Sequence, residues 1–372
     1  MRILIPAVFV LISLTACSRV VLPFEEMKAG FLLPGAIRES QWSAAHNAAR
    51  LFLERETGAL TMVRESIAEN TTAVEVMDAL IASGCNVIVA ASYGYAGYVR
   101  EVARRHPHIY FLQYQGADSG VRAGGNIRYY SDRAYEVSYL AGALAGLQMR
   151  GDASADGASA IGYVAPFPVP EILASVNAFT LGVRSILPEA FVLLSWSGSW
   201  SSPSAALAAA RGLLRRGVAG LALQQDGIGA EMLEAHPDMP PGGWLIHLHT
   251  AAYETESPNL LASLEREWGR YYVREAQAIS GGTWKAGVYS GGLREGMIRL
   301  RMHEERVPEQ IKTYIDELAA GIRDESEKTM FAGPILDGNG ETRVPADDFL
   351  PQTALPFLDW LVDGVRVTGE EQ

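Results

Sequence analysis

Thiols are too scarce in this chain to staple it. Its 372 residues include two cysteines, Cys17 and Cys85. Cys17 lies in the N-terminal segment, so no internal disulfide is expected and apolar burial has to supply the stability. Basic charge is also short, because 31 Lys and Arg face 43 Asp and Glu for a net −12. Nucleic acid and anionic membrane surfaces select basic patches and are therefore poor partners. The N-terminal apolar run, 3–14, is too short at about 1.5 Å per residue to cross a hydrocarbon core of roughly 30 Å. Gly-x-Ser-x-Gly, P-loop and His-Glu-x-x-His words are missing, and scattered Asp226 and His46 do not form an acid/base constellation. Neither catalysis nor a cofactor is expected. His247 and His249, two apart, would share a strand face. No third ligand lies nearby, so no metal is expected either.

What is present begins with an export signal. Arg2, the short apolar run and the small residues of Leu14-Thr15-Ala16 before Cys17 predict a signal peptide over 1–16. The same residues fit a bacterial lipoprotein box, in which Cys17 becomes a lipid-bearing N-terminus and 17–26 a tether. The predicted location is outside the cytoplasm, on the cell membrane. With 48% hydrophobic residues the rest can bury a sizeable core, and its length points to two lobes.

Strands are predicted at 28–33, 60–64, 86–91 and 108–113, with helices between them, the first over 41–57 behind Ser40 as cap. After a strand at 125–129 comes a long helix, 133–150, whose Ala141, Gly142, Ala145 and Gly146 permit close packing. A second series follows: strand 161–165, a helix after Pro170, strand 190–196, a helix over 203–216, strand 218–224, a helix near Glu231 and strand 243–248. A long helix over 259–279 and another over 308–323 close the regular part. Alternation of this kind predicts α/β lobes, each a doubly wound parallel sheet. The expected division is 27–128 plus about 251–283 for lobe 1, and 129–250 plus about 284–372 for lobe 2.

Ligands of open α/β sheets bind beyond the strands' carboxyl ends. Trp42, Ser92, Tyr93, Phe167, Trp200 and Asp226 all fall in loops that leave strands and open helices. Phe167, between Pro166 and Pro168, either faces a ligand or plugs the turn. Asn177, inside the helix after Pro170, either reaches a ligand or serves the core. Aromatic platforms suit a flat π ligand, and stacking contributes roughly 1–3 kcal/mol per ring.

Long words of the sequence resemble the basic membrane protein family of ABC-transporter substrate-binding lipoproteins, which includes purine nucleoside receptors. They are Gln41-Trp42-Ser43-Ala44-Ala45-His46, Ser92-Tyr93-Gly94-Tyr95, Tyr135-Glu136-Val137-Ser138-Tyr139-Leu140-Ala141-Gly142, Pro168-Val169-Pro170-Glu171, Asn177-Ala178-Phe179-Thr180-Leu181-Gly182 and Gly291-Gly292-Leu293-Arg294-Glu295-Gly296-Met297. The likeness spans nearly the whole mature chain and is strongest to the branch associated with free purine bases such as adenine. It implies a type I periplasmic-binding clamshell, two lobes on a hinge, delivering a small ligand to ABC permease subunits. By matching position it puts Trp42 and either Phe167 or Trp200 on the two faces of a base, with Ser92, Asn177 and Asp226 at its edge. The family's usual aspartate after the strand at 244–248 is replaced by His247-Leu248-His249-Thr250, and Glu39, Ser40 and Gln41 precede the first aromatic. Loss of a ribose-type carboxylate favours a free base over a nucleoside. A ligand-sensing surface lipoprotein of the same fold, not coupled to transport, is the alternative.

Overall fold

The structure, a computed structural model, describes residues 22–115, 125–151, 160–226, 239, 242–249, 259–303 and 305–369. The expected signal segment, Cys17 and the helix expected near Glu231 lie outside them.

The first lobe is built from β1 (Lys28–Leu32), α1 (Gln41–Thr57), β2 (Leu60–Arg64), α2 (Thr72–Ala82), β3 (Val87–Ala90), α3 (Ala96–Arg105), β4 (Tyr110–Tyr114) and β5 (Ile127–Asp132). Every residue of β3 is buried, as a central parallel strand covered on both faces requires. The Ser40 hydroxyl accepts from the Ser43 amide at 3.1 Å to start α1, and Gly58 at φ 73° ends it in the left-handed region.

The chain then crosses to the second lobe through α4 (Ala134–Gly151). There it builds β6 (Ala160–Ala165), α5 (Pro170–Ile186), β7 (Phe191–Trp196), α6 (Pro203–Leu214), β8 (Gly220–Leu223), β9 (Trp244–His247) and β10 (Leu260–Arg266). A second crossing leads through α7 (Trp268–Ser280) to β11 (Gly287–Gly291), which pairs with β5 in the first sheet. A third leads to β12 (Ile298–Met302), antiparallel to β10 in the second sheet, and to α8 (Glu309–Met330). The C-terminal segment adds the small pair β13 (Ile335–Leu336) and β14 (Thr342–Val344), then β15 (Val365–Val367) beside β7.

Strand orders are β11-β5-β4-β3-β1-β2 and β12-β10-β9-β8-β6-β7-β15. Both lobes therefore share the doubly wound order 2-1-3-4-5, and each reverses direction beside its first strand, at β1/β3 and β6/β8. Separate apolar clusters cover the two faces of each sheet. In the second lobe α4 and α5 lie so close that a Cβ on Gly142 would overlap the Phe179 carbonyl, and one on Gly182 the Tyr139 carbonyl.

Two sequence expectations give way here. The helix predicted over 259–279 is β10 followed by α7. Leu260, Leu261, Ala262 and Leu264 are all buried, and an apolar run buried on both faces carries no period that separates strand from helix. The lobe boundaries also move. β5 stays in the first sheet to Asp132, β10 belongs to the second sheet, and β11 returns to the first. The chain changes lobe directly at strand ends, whereas the expected cuts were drawn at polar loops.

Candidate ligand site

The carboxyl ends of both sheets meet at α1's N-terminus. Asp226, just past β8 in the second lobe, accepts from Ser40 Oγ at 2.7 Å and from the Gln41 amide at 3.0 Å. A buried carboxylate thus sits on the positive end of the first helix of the other lobe. The Asp226 amide donates to the Trp200 carbonyl at 3.3 Å, which brings the β7–α6 loop to the same place. Gln225 pins that loop by donating to the Ser199 carbonyl and accepting from Ser197 Oγ, both at 2.6 Å. Trp200 is half exposed, and its ring lies 5.5 Å from that of Phe167.

Trp42 opens α1 and is partly buried. Its Nε1 donates to the Ala91 carbonyl at 2.7 Å, so the indole's polar atom is satisfied and its carbon edges and faces do the packing. Around it stand His46, Tyr114 and Trp268, edge-on at 4.7, 4.8 and 5.6 Å, with His249 tilted at 5.8 Å. The Arg266 guanidinium lies 5.6 Å from the Trp42 ring centroid, a cation–π distance. Arg266 Nε also donates to Asp132 at 3.0 Å, and both side chains are nearly inaccessible to solvent.

Behind this pair, Gln115 Nε2 donates to the Tyr114 hydroxyl at 3.0 Å, and the Gln115 side chain also hydrogen-bonds Glu171 at the start of α5. Enclosure by the cleft walls pushes the Glu171 carboxyl up to about 7; Gln115 opposes that, the Asp132 charge reinforces it, and Arg266 opposes it. Burial holds His46 down at about 3. Burial also lowers His249 to about 4, although Asp226 pulls the other way from 4.0 Å. Both imidazoles are therefore neutral near pH 7. Burial lifts the Tyr114 phenol well above its ordinary range.

Four of the predicted residues, Trp42, Phe167, Trp200 and Asp226, gather at this cleft. Asp226 directs both carboxylate oxygens at α1. Ser92 lies at the rim, its hydroxyl donating to the Glu69 carboxylate and its carbonyl accepting from Gln113, and Tyr93 is exposed. Asn177 is elsewhere: its Nδ2 donates to the Trp360 carbonyl and its Oδ1 accepts from the Val362 amide, both at 3.0 Å. It ties the C-terminal segment to α5, and the residue is buried with one bond at each end of its carboxamide made to backbone. Sequence reading assigned no ligand role to Tyr114, Gln115, Glu171, His249 or Arg266. Arg266 was hidden inside the run read as one helix. Tyr114-Gln115 ends a strand, and that position was the available signal.

A pair of doubly wound sheets whose carboxyl ends face one another across an aromatic cleft defines a two-lobed solute-binding protein. The chain belongs to the family of PnrA-like ABC transporter substrate-binding proteins, whose model matches residues 26–332. It is 27% identical to a purine-binding protein of Brucella abortus over 92% of this chain and 93% of that one. It is 28% identical to a candidate glucose-binding protein of an ABC transporter from Haloferax volcanii, over 90% and 80% of the two chains. Among solved structures, an ABC transporter solute-binding protein from Aeropyrum pernix superposes with a TM-score of 0.68 at 18% identity, covering 83% of this chain and 94% of that one. Membership makes this the substrate-binding component of an ABC system, working outside the cytoplasm with a small-molecule ligand and a permease. Among the described residues no helix is long and apolar enough to cross a membrane.

Proposed function

We propose that this protein captures a purine base between its lobes, held at the membrane by lipid on Cys17, and delivers it to an ABC permease. The observation that carries the reading is Trp42, set at the first sheet's switch point inside a ring of aromatic side chains with Arg266 beside it. Flat rings and a guanidinium suit a planar π ligand. The second aromatic pair, Phe167 and Trp200, supports a stacking partner from the other lobe. The Brucella relative's name points the same way. Two stacking faces fall short of the roughly −8 kcal/mol that micromolar binding needs, so polar contacts and closure supply the remainder.

The test is thermal unfolding and tryptophan fluorescence with adenine, hypoxanthine, guanine and adenosine. A ligand at a hundredfold excess over Kd should stabilise by about 2.7 kcal/mol. Silence of both signals across the panel would sink the purine reading. D-Glucose belongs in the same panel, because the Haloferax relative's name and the cleft's Asp132, Asp226 and Arg266 favour a sugar as the second reading. Anchoring has its own test. Cys17→Ala should shift the protein from the membrane to the soluble fraction, and unchanged fractionation would reject the lipid. A neighbouring permease and ATPase gene pair favours transport, whereas a receptor kinase there favours a ligand-sensing role.

A further inference from the structure

Glu171 stands in the first turn of α5, the helix that Pro170 begins. Its side chain is open to solvent, and Gln115, Asp132 and Arg266 are close enough to act on it, the situation of a group lining a cleft. Across the cleft is Gln115, whose φ of 54° is left-handed. Side-chain-bearing residues seldom adopt that conformation, and where the surroundings enforce it a functional site is the common reason. Here the Gln115 amide donates to the Tyr130 carbonyl at 2.8 Å and holds the turn. The result is a carboxamide aimed from the first lobe at Glu171 in the second, one side chain removed from Tyr114 and hence from Trp42. The carboxyl is thus linked through Gln115 to Tyr114, the ring that packs edge-on against Trp42.

We infer that Glu171 is a specificity-determining residue that grips the edge of the purine as a carboxylic acid. Its hydroxyl donates to a ring acceptor, and its carbonyl accepts from the adjacent N–H. The proton stays on the carboxyl throughout. An edge offering one donor beside one acceptor, as in adenine, satisfies both oxygens. The paired N–H donors of guanine instead call for the ionised carboxylate. Binding is thereby coupled to proton uptake for one class of purine and to proton release for the other.

The groups facing Glu171 are Tyr114 and Gln115 from the end of β4, Asp132 from β5 and Arg266 from β10, with His249 and Asp226 beyond. Burial keeps the Tyr114 phenol protonated, its pKa raised well above the ordinary range, and lowers the His249 imidazole to about 4 so that it is neutral near pH 7. That leaves Glu171, near 7, to titrate between pH 6 and 8.5.

The inference rests on the purine reading and is tested by measuring Kd for adenine and guanine from pH 6 to 8.5 by calorimetry. For the wild type, adenine binding should weaken by close to tenfold per pH unit above about 7.5, as one linked proton requires, while guanine binding strengthens. Glu171→Gln keeps a donor and an acceptor side by side, so its adenine profile should be flat and within about tenfold of the wild type at pH 6. Glu171→Leu, at a solvent-open position, should fold normally and lose adenine affinity at every pH. Equal pH slopes for wild type and E171Q, or wild-type adenine affinity in E171L, would overturn the inference and leave the purine reading standing. Failure of the wild type to bind any purine at any pH would overturn both.

Discussion

At the residue scale, His46 is a fully buried imidazole. It stacks on Trp268 at 4.9 Å, and its Nδ1 lies 2.6 Å from the Tyr272 hydroxyl. Burial lowers its pKa from 6.5 to about 3. The unfolded chain takes up this proton below pH 6.5 and the folded chain does not until near pH 3, so the associated stability is complete above 6.5 and drains away as pH falls. At pH 4.5 the loss is about 2.7 kcal/mol, two pH units below the unfolded value. Urea titrations at pH 7 and 4.5 should show that loss shrink by about that amount in His46→Gln, and an unchanged difference would contradict the assignment. Trp42→Ala removes the centre of the aromatic cage and should weaken ligand binding by roughly 5- to 150-fold, given roughly 1–3 kcal/mol per stacked ring; equilibrium dialysis checks it. The position of Trp42, Phe167, Trp200 and Asp226 past strand ends was legible because loops after strands can be read from pattern alone. Asn177's bonds to the Trp360 carbonyl and Val362 amide were not legible, because a mid-helix amide looks the same in sequence whether it meets a ligand or a carbonyl. Gln115's backbone twist leaves no mark in sequence at all.

At the scale of elements, the pairing of α4 with α5 depends on hydrogen atoms at Gly142 and Gly182. Alanine there is the better helix former by about 1 kcal/mol. Its methyl group, however, would collide with a carbonyl of the facing helix, and overpacking of that kind typically costs 1–3 kcal/mol. Gly142→Ala and Gly182→Ala should therefore melt lower than the wild type. Gly212→Ala on α6, where a Cβ meets open space, should be neutral or stabilising by about 0.5–1 kcal/mol. Asn177→Ala strands the Val362 amide and the Trp360 carbonyl and should cost about 1–3 kcal/mol while leaving ligand affinity unchanged. The small-residue stripe on α4 and most strands were readable because spacing and size suffice. β10 and β12 were not. The first is buried on both faces, and the second, with buried Ile298 alternating with exposed Arg299 and Arg301, is too short to stand out.

At the scale of the molecule, three chain crossings join the lobes, and charged side chains bind them together. Arg133 donates to Glu136 at 2.6 Å, to the Ser290 carbonyl at 2.7 Å and to Glu295 at 2.5 Å, which links the first crossing to the third. Arg266 and Asp132 link the first to the second. Two lobes were legible from the repeated rhythm of strand and helix, but the crossings were not, because they occupy a few residues at strand ends and carry no composition of their own. Opposite these hinges the lobes are fastened by Asp226 on Ser40 and Gln41. Each hydrogen bond to a charged group is worth about 1.5–3 kcal/mol, so removing two shifts the closed-to-open ratio by about 100-fold or more. Asp226→Ala should accordingly raise the radius of gyration of the ligand-free protein in small-angle X-ray scattering. Ligand should restore the compact form at a Kd weakened by up to the same factor, since closure now draws on binding energy. Scattering and affinity both matching the wild type would mean that the hinge clusters alone set the lobe angle and that the carboxylate serves only as the cap of α1.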